Sequence, residues 1–266
     1  MNEFLKDPNS LFSVREKVAV VTGASGAFGA LAAQVLAAAG ARLVLAAGKA
    51  KELESAAAQC RNLGADVVTV ARRPNTEQDS EAIMQAGIER FEGLDILVVG
   101  SGLNDVSPIV DMSPERFDKV MQGNVTGAWL LCRAFGRRVI EQARGGKVVL
   151  VSSARGTLGH PAGYSAYCAS KAATDGLTRA LGCEWGKYGI TVNAIAPTVF
   201  RSPLTAWMFE DNDKARATRA GMLGRIPLGR LGEPADLAGP LLFLASRASD
   251  FYTGHILYAD GGYTAG

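Results

Sequence analysis

The sequence is poor in the residues that bind metals. It contains only two histidines, His160 and His255, among its 266 residues. Its four cysteines, Cys60, Cys132, Cys168 and Cys183, show no C-x-x-C spacing and have no histidine close by. A zinc site needs clustered Cys and His ligands, so we predict no metal site and interpret all four cysteines as buried thiols.

The sequence also lacks a strong charge and a long apolar run. Its 28 Lys and Arg nearly balance its 26 Asp and Glu, without a long basic run, so nucleic acid is not the expected partner. The first residues, MNEFLKDPNS, have no apolar signal core, and no stretch reaches membrane-spanning length without a charge or a break. These features predict a cytoplasmic protein without a membrane segment.

What the sequence does contain is a regular alternation of short β-branched runs and longer Ala- and Leu-rich runs. The strand-like runs are apolar throughout, which is typical of a parallel sheet covered on both faces. We predict an α/β fold, a single doubly wound Rossmann-type domain over residues 1–266 with a mostly parallel seven-stranded sheet. The predicted strands are 17–23, 42–47, 66–71, 94–100, 146–153, 189–196 and 255–259, and the predicted helices are 29–41, 49–64, 76–91, 113–142, 164–185 and 234–246.

A glycine-rich turn, TGASGAFG, joins the first strand to the first helix at residues 22–29. A dinucleotide-binding fold places its pyrophosphate here, because glycines allow a tight turn and the N–H groups of the helix start face the phosphates. The turn resembles the T-G-x-x-x-G-x-G signature of the short-chain dehydrogenase/reductase family. Thr22, Gly23 and Gly29 match, whereas Ala27 takes the middle position and Gly26 stands one place early. Ser25 and Phe28 complete the predicted cofactor turn.

The stretch YSAYCASK at residues 164–171 fits the family signature Y-x-x-x-K only at Tyr167 and Lys171. Their i, i+4 spacing puts both side chains on one helix face. A lysine ammonium one turn away favours the phenolate, and so would a positive nicotinamide ring, so Tyr167 is predicted to act as acid and base. Tyr164 has no lysine four residues further on, and we interpret it as a packing or substrate-pocket residue.

Two further residues resemble members of the family's catalytic set. Ser153, in VSSARG at the end of the fifth strand, matches the serine that would hold the substrate oxygen, with Ser152 as the alternative. Asn124, in QGNVTGAW, matches the asparagine that would hold a water between the lysine and bulk solvent. The predicted catalytic set is therefore Asn124, Ser153, Tyr167 and Lys171, and the resemblance covers about residues 13–266.

The chain departs from the family pattern around the predicted cofactor. The family's N-N-A-G segment after the fourth strand is Val99, Gly100, Ser101 and Gly102 here, and the aspartate expected after the third strand is Arg73. Gly48 and Lys49 follow the second strand where an acid would bind the ribose 2′-OH of NAD. Without that carboxylate, and with Lys49 and Arg73 nearby, NADP(H) is favoured over NAD(H).

The remaining predictions also rest on the resemblance. In NAIAPTVFRSPL, Pro197, Val199 and Ser202 would contact the nicotinamide. Residues 202–230 correspond to a substrate lid in which Trp207 could exclude water, although packing against the body is an equal interpretation. Asn104, His160 and Tyr164 are candidate pocket residues. The ADGG segment at 259–262 implies a homotetramer or homodimer.

The combined prediction is an NAD(P)-dependent oxidoreductase acting on a small or medium alcohol or ketone, such as a polyol, sugar, hydroxy-acid or cyclic ketone. The alternative is a binding or regulatory protein that keeps the fold but has impaired cofactor binding, which the departures above favour. A dehydratase or epimerase using a bound nucleotide is a third possibility, but the sequence has no extra acid or base motif for it.

Overall fold

The computed structural model describes residues 3–203 and 205–266. Seven strands form one sheet in the order β3-β2-β1-β4-β5-β6-β7, and every neighbouring pair is parallel. The strands are β1 Val18–Thr22, β2 Arg42–Ala46, β3 Val67–Val70, β4 Ile96–Val99, β5 Gly146–Val151, β6 Ile190–Pro197 and β7 Ile256–Ala259. The predicted doubly wound α/β fold is confirmed, and the sheet is parallel throughout.

The helices cover both faces of this sheet. They are α1 Ala27–Ala38, α2 Ala50–Asn62, α3 Glu77–Phe91, α4 Pro114–Met121, α5 Gly127–Gln142, α6 Ser165–Trp185, α7 Asp213–Leu223 and α8 Pro234–Ala245. One apolar core lies between the sheet and α1, α2 and α8, and a second lies between the sheet and α3, α5 and α6. Burial on both faces explains why β4 is apolar at every position and β1 at every position except Thr22.

The strand order reverses direction between β1 and β4, because β1 pairs with β2 on one side and with β4 on the other. The carboxyl ends of parallel strands meet at one edge, and ligands of this architecture bind in the crevice at such a reversal. This edge therefore collects the loops that carry the predicted site residues.

Three local predictions are wrong. Residues 113–142 are not one regular helix, since the π-helical turn Gln122–Thr126 separates α4 from α5. Cys60 and Cys132 are buried, but Cys168 is half-buried and Cys183 is exposed. The apolar pattern of α6 fixes which helix face is buried, and Cys183 lies on the opposite face.

The predicted lid contains a short 3₁₀ turn, Ala206–Phe209, followed by α7. Leu204, which the lid prediction includes, lies outside the described residues, as do Met1 and Asn2 of the predicted domain. Across the described parts of the chain, no helix has the length and apolar character needed to span a bilayer. The same parts hold no cluster of three or more Cys, His, Asp or Glu side chains suited to a metal ion.

Candidate active site

The glycine-rich turn after β1 packs its backbone directly against the loop after β4. Gly23 adopts a φ of +66°, and a Cβ added to it would lie 2.5 Å from the carbonyl carbon of Gly100 and 2.6 Å from the nitrogen of Ser101. A Cβ on Gly29 would lie 2.2 Å from the Gly23 oxygen. Glycine is therefore required at both positions for the turn to close.

The same turn leaves the N-terminus of α1 open to a ligand. Gly26 is the N-cap of α1 and has no side chain to satisfy the first N–H groups of the helix. Ser25 and Gly26 are exposed and Ala27 is half-buried, whereas the side chain of Phe28 is buried in the core, so only its backbone faces the turn. These free N–H groups and the glycine cradle fit the pyrophosphate of a dinucleotide.

Tyr167 and Lys171 lie on one face of α6, beside the end of β5. The Lys171 Nζ is 5.5 Å from the centre of the Tyr167 ring and donates a 2.7 Å hydrogen bond to the carbonyl oxygen of Val151. Lys171 is buried, and an added Cβ on Gly102 would lie 3.8 Å from its Nζ. The lysine thus connects the tyrosine, β5 and the loop after β4.

The electrostatics of this pair differ from the sequence-based expectation. Burial raises the pKa of Tyr167, and a hydrogen bond from Ser153 opposes this rise. Burial also lowers the pKa of Lys171 to about 8, against the attraction of Asp175. The Lys171 ammonium lies near the Tyr167 ring and the Val151 carbonyl oxygen. Desolvation is nevertheless the largest influence on the pKa of the phenol in the protein alone.

The two serines at the end of β5 have different partners. The Ser152 hydroxyl donates a 2.5 Å hydrogen bond to the buried carboxylate of Asp175, one turn beyond Lys171 on α6. The Ser153 hydroxyl accepts a 3.2 Å hydrogen bond from the Arg155 backbone, and its proximity to Tyr167 lowers the pKa of the phenol, against the effect of burial. Ser153 is therefore the serine that interacts with the tyrosine.

Asn124 lies inside the π-helical turn, with its side chain buried. Its amide nitrogen donates to the Leu103 carbonyl oxygen at 2.8 Å and to the Ser170 hydroxyl at 2.9 Å, while its Oδ1 accepts from the Leu103 nitrogen at 2.7 Å. The extra residue of a π turn leaves backbone groups without regular helical partners. Asn124 thereby ties the loop after β4 to α6, one residue before Lys171.

Comparisons with known proteins identify the family of this chain. A family model described as enoyl-(acyl carrier protein) reductase matches residues 23–264. An uncharacterized oxidoreductase of Mycobacterium tuberculosis is 54% identical, covering 96% of this chain and 93% of that protein. The crystal structure of a short-chain type dehydrogenase/reductase from Mycobacterium marinum superposes with a TM-score of 0.87 at 31% identity, covering 97% of this chain and 98% of that one.

This chain is a short-chain dehydrogenase/reductase. A gluconate 5-dehydrogenase from Burkholderia cenocepacia, whose crystal structure holds NADP and tartrate, is also similar, with a TM-score of 0.88 and 28% identity over 96% of this chain and 98% of that one. The family membership makes this chain an NAD(P)-dependent oxidoreductase.

At the predicted adenosine end of the crevice, Arg73 stands where the family resemblance predicts an aspartate. The Arg73 side chain lies against Gly48, where an added Cβ would be 2.4 Å from Arg73 Nε and 2.6 Å from its Cγ. Lys49 is exposed and pairs with Glu52 at 3.4 Å, and Arg72 pairs with Asp79 at 3.0 Å. Arg73 forms no ion pair with any carboxylate in residues 3–203 or 205–266.

The residues predicted to contact the nicotinamide lie at the end of β6 and in the segment that follows it. Pro197 is buried at the end of this strand, and Val199 is half-buried beside the core that contains Ala154. The Ser202 backbone N–H donates a 2.9 Å hydrogen bond to the Thr205 hydroxyl. Ser202 also lines a cleft of about 520 Å³ together with Ser25, Gly26 and Ala27.

On the substrate side, aromatic residues lead from the surface to Tyr167. The His160 and Tyr164 ring centres are 4.4 Å apart, and those of Tyr164 and Tyr167 are 6.3 Å apart. His160 and Tyr164 line a cleft of about 510 Å³, and burial followed by the charges of Arg155 and Arg225 lowers the pKa of His160. Both residues thus lie where a substrate would approach.

The structure does not bring Trp207 and Asn104 to the tyrosine by any direct contact. Trp207 is 41% exposed and packs under Lys214, whose Nζ is 5.5 Å from its ring. Its neighbour Met208 is buried in the small core that includes Ala154, next to Ser153. Asn104 is exposed. Met208, together with Ile226, therefore packs the predicted lid against the segment that follows Ser153.

Two neighbours of the site were not predicted. Asp175 is buried and holds Ser152, but an aspartate in mid-helix gives no sequence signal unless its i, i+4 spacing to Lys171 is noticed. Arg155 contacts the C-terminal Tyr263, a pairing across more than a hundred residues that no local pattern shows. A cleft of about 730 Å³ lies at the opposite edge of the sheet around Lys17 and Asp95 and contains none of the predicted site residues.

Proposed function

We propose that this short-chain dehydrogenase/reductase transfers a hydride between a nicotinamide cofactor and a small or medium alcohol or ketone, with Tyr167 as the acid and base. The substrate class includes polyols, sugars, hydroxy-acids and cyclic ketones. The observation that carries the proposal is the convergence of Tyr167, Lys171 and Ser153 beside the glycine cradle, at the sheet edge where such folds bind dinucleotides.

The cofactor would supply or accept the hydride at its nicotinamide ring. The Ser153 hydroxyl would hold the substrate oxygen and share a hydrogen bond with the Tyr167 hydroxyl. Because burial raises its pKa, Tyr167 is protonated at neutral pH, which suits proton donation to a carbonyl oxygen in the reductive direction. In the oxidative direction, the Ser153 hydrogen bond, the Lys171 ammonium and a positive nicotinamide ring would favour the phenolate.

Lys171 would position the cofactor ribose, and Asn124 would hold a water that connects the lysine with solvent. The proximity of the two side chains supports these roles, because Asn124 and Lys171 both lie beside Gly102 of the loop after β4. Pro197, Val199 and Ser202 would orient the nicotinamide carboxamide. His160, Tyr164 and Asn104 would contact the substrate, and residues 202–230, including Trp207, would cover it.

NADP(H) is the favoured cofactor. Gly48 leaves room for the Arg73 side chain, so the guanidinium stands where an acidic residue would otherwise exclude the 2′-phosphate. Lys49 contributes less, because its ammonium already pairs with Glu52. The NADP-containing gluconate 5-dehydrogenase structure is consistent with this choice.

The cofactor proposal is tested by titrating NADPH and NADH against the wild type and two variants, following nicotinamide fluorescence. Arg73→Gln should weaken NADPH binding about tenfold, the order expected for one charge-assisted hydrogen bond, and leave NADH binding unchanged. Arg72→Gln is the matched control, because Arg72 is adjacent to Arg73 in the chain but its guanidinium already pairs with Asp79. Equal loss in both variants, or a loss for NADH as well, would contradict the assignment.

The catalytic proposal is tested by turnover on a panel of carbonyl compounds and polyols with each nicotinamide. Tyr167→Phe should abolish turnover with cofactor affinity nearly intact, whereas Tyr164→Phe should alter KM alone. A dead Tyr164→Phe enzyme with an active Tyr167→Phe enzyme would reverse the assignment. If neither nicotinamide binds saturably, the alternative function, a binding or regulatory protein, replaces the enzyme.

The ADGG segment supports the further proposal of a homotetramer or homodimer. Asp260 in this segment accepts hydrogen bonds from Gly262 and Thr264, which fix the conformation of the C-terminal turn. Sedimentation equilibrium at several protein concentrations tests the assembly, and a monomer at all of them would contradict it.

A further inference from the structure

Two arginines converge on one aromatic ring beside the proposed substrate cleft. The Arg155 guanidinium carbon is 5.4 Å from the Tyr263 ring centre, and that of Arg225 is 4.5 Å from the same centre. Arg155 also donates to the Tyr263 hydroxyl at 2.8 Å and to the Gly159 carbonyl oxygen at 2.7 Å. The two guanidinium groups can therefore be no more than about 10 Å apart, about one Debye length at moderate salt.

Neither arginine has an acidic partner in the described chain. Arg155 and Arg225 form no ion pair with a carboxylate of residues 3–203 or 205–266, whereas Arg201, Arg216 and Arg230 in the same region each do. Two like charges near each other repel, and the repulsion grows where protein replaces water around them. An anion bound between the two guanidinium groups would be attracted to both and would offset their mutual repulsion.

The pair lies next to the proposed chemistry. Arg155 follows Ser153 by two residues, and its bond to Gly159 places its charge beside His160. The His160 ring packs on Tyr164, which contacts Tyr167. The charges of both arginines act to lower the pKa of His160, and the charge of Arg155 also acts to lower the pKa of Tyr167.

We propose that Arg155 and Arg225 bind a carboxylate on the substrate, so that the enzyme acts on hydroxy acids and keto acids in preference to neutral alcohols and ketones. This inference rests on the proposed function. Arg155 commits two of its five N–H donors to Tyr263 and Gly159, which leaves donors for a planar two-oxygen acceptor. Arg225 adds a second positive charge from the segment that follows α7, so the carboxylate would also hold the lid against the catalytic loop.

The test compares hydroxy acids with their primary amides, which keep the shape and remove the charge. The panel contains D-gluconate, cis-4-hydroxycyclohexanecarboxylate and lactate, each with its amide, and D-glucitol and a sugar phosphate as further probes. We expect the best acid to exceed its amide in kcat/KM by about tenfold or more, which corresponds to about 1.4 kcal/mol. The ratio should fall as salt is added, because salt screens the attraction.

Two variants and a control locate the effect. Arg155→Met and Arg225→Met should each reduce the acid-to-amide ratio severalfold, chiefly through KM, with amide turnover retained. Arg15→Met is the control, because this exposed arginine precedes β1 at the opposite edge of the sheet. The mass of each variant in solution is measured alongside.

The outcomes separate the two proposals. If no compound in the panel is turned over with either nicotinamide, the proposed function fails and this inference with it. If amides and glucitol are turned over as well as acids, only the inference fails. It also fails if the sugar phosphate is preferred to every acid, or if the arginine variants change the assembly and leave the acid-to-amide ratio intact.

Discussion

Gly156, the last residue of the VSSARG segment, is predicted to tolerate a side chain poorly because it packs against a buried carboxylate. A Cβ added to Gly156 would lie 2.4 Å from Asp175 Oδ2 and 3.1 Å from both Asp175 Cγ and Ser152 Oγ. Gly156 does not have a positive φ, so alanine meets no backbone strain there. The substitution Gly156→Ala therefore tests side-chain packing against Asp175 without a contribution from backbone strain.

The expected cost follows from two opposing contributions. Overpacking a well-filled site costs about 1–3 kcal/mol, and Asp175 is a short, buried side chain bonded to Ser152, so it cannot turn away freely. Alanine also restricts the unfolded chain, which stabilises the protein by about 0.4–1 kcal/mol. We expect Gly156→Ala to lower the free energy of unfolding by about 1–2 kcal/mol.

The control is Gly159→Ala, three residues further on in the same loop. A Cβ at Gly159 meets nothing within 4 Å, and its φ is also outside the positive region. Only the unfolded-state contribution remains, so this variant should equal or slightly exceed the wild type in stability. Urea denaturation followed by circular dichroism measures both variants under identical conditions.

Activity gives a second readout of the same substitution. Ser153 stands between Ser152 and Gly156, both of which contact Asp175, so a displaced carboxylate should shift the Ser153 hydroxyl. We expect Gly156→Ala to lower kcat more than KM, and Gly159→Ala to leave kcat near the wild-type value. If Gly156→Ala were as stable and as active as Gly159→Ala, the view that Asp175 fixes the serine segment would be refuted.

Three further predictions concern the glycine turn, the buried lysine and the thiols. Gly29→Ala should abolish nicotinamide binding in fluorescence titrations, because its Cβ would lie 2.2 Å from the Gly23 backbone oxygen, which cannot move without opening the turn. The pKa of Lys171 is lowered from 10.5 to about 8, so the unfolded chain binds more protons between these values. Wild-type stability should therefore rise with pH relative to Lys171→Met, by up to about 1.4 kcal/mol per unit, until about pH 10.5; a constant difference in urea midpoints would contradict this. A thiol reagent should label Cys183 fastest and leave Cys132 unmodified in the folded protein.

The parts of the site that were predictable depend on local spacing. Tyr167 and Lys171 share a helix face because helical periodicity fixes the relation of residues i and i+4. The glycine turn was predictable for a similar reason, since a strand, a tight turn and a helix are consecutive in the chain. The parallel direction of the strands also follows from regular βα alternation, although the order of the strands does not.

The parts that were not predictable depend on contacts between distant segments. The pairing of Ser152 with Asp175 separates the two adjacent serines by role, but either serine satisfied the sequence pattern. Arg73 reaches Gly48 across two neighbouring strands. The π turn at Asn124 has no compositional signature, because it depends on how the Asn124 amide satisfies the backbone of Leu103.

The lysine–tyrosine pair shows why spacing alone gave an incomplete electrostatic argument. Spacing indicates which charges are neighbours, so it suggested that Lys171 would lower the Tyr167 pKa. Burial, which sequence cannot measure, raises the pKa of the phenol and lowers that of the amine. In the protein alone, desolvation is the largest influence on the pKa of each group.

The same balance between desolvation and attraction applies to three energetically unfavourable features that lie close together. A buried ammonium, a buried carboxylate and a π turn each cost free energy, and Lys171, Asp175 and Asn124 bring all three to one end of the sheet. Each is held by a specific partner, the Val151 carbonyl, the Ser152 hydroxyl and the Leu103 backbone. Those partners lie at or just after the ends of β5 and β4, so the sheet holds them in place and thereby stabilises all three features. An apolar residue at Lys171 should consequently stabilise the fold at neutral pH while removing its chemistry, which is the behaviour expected of a group kept for function.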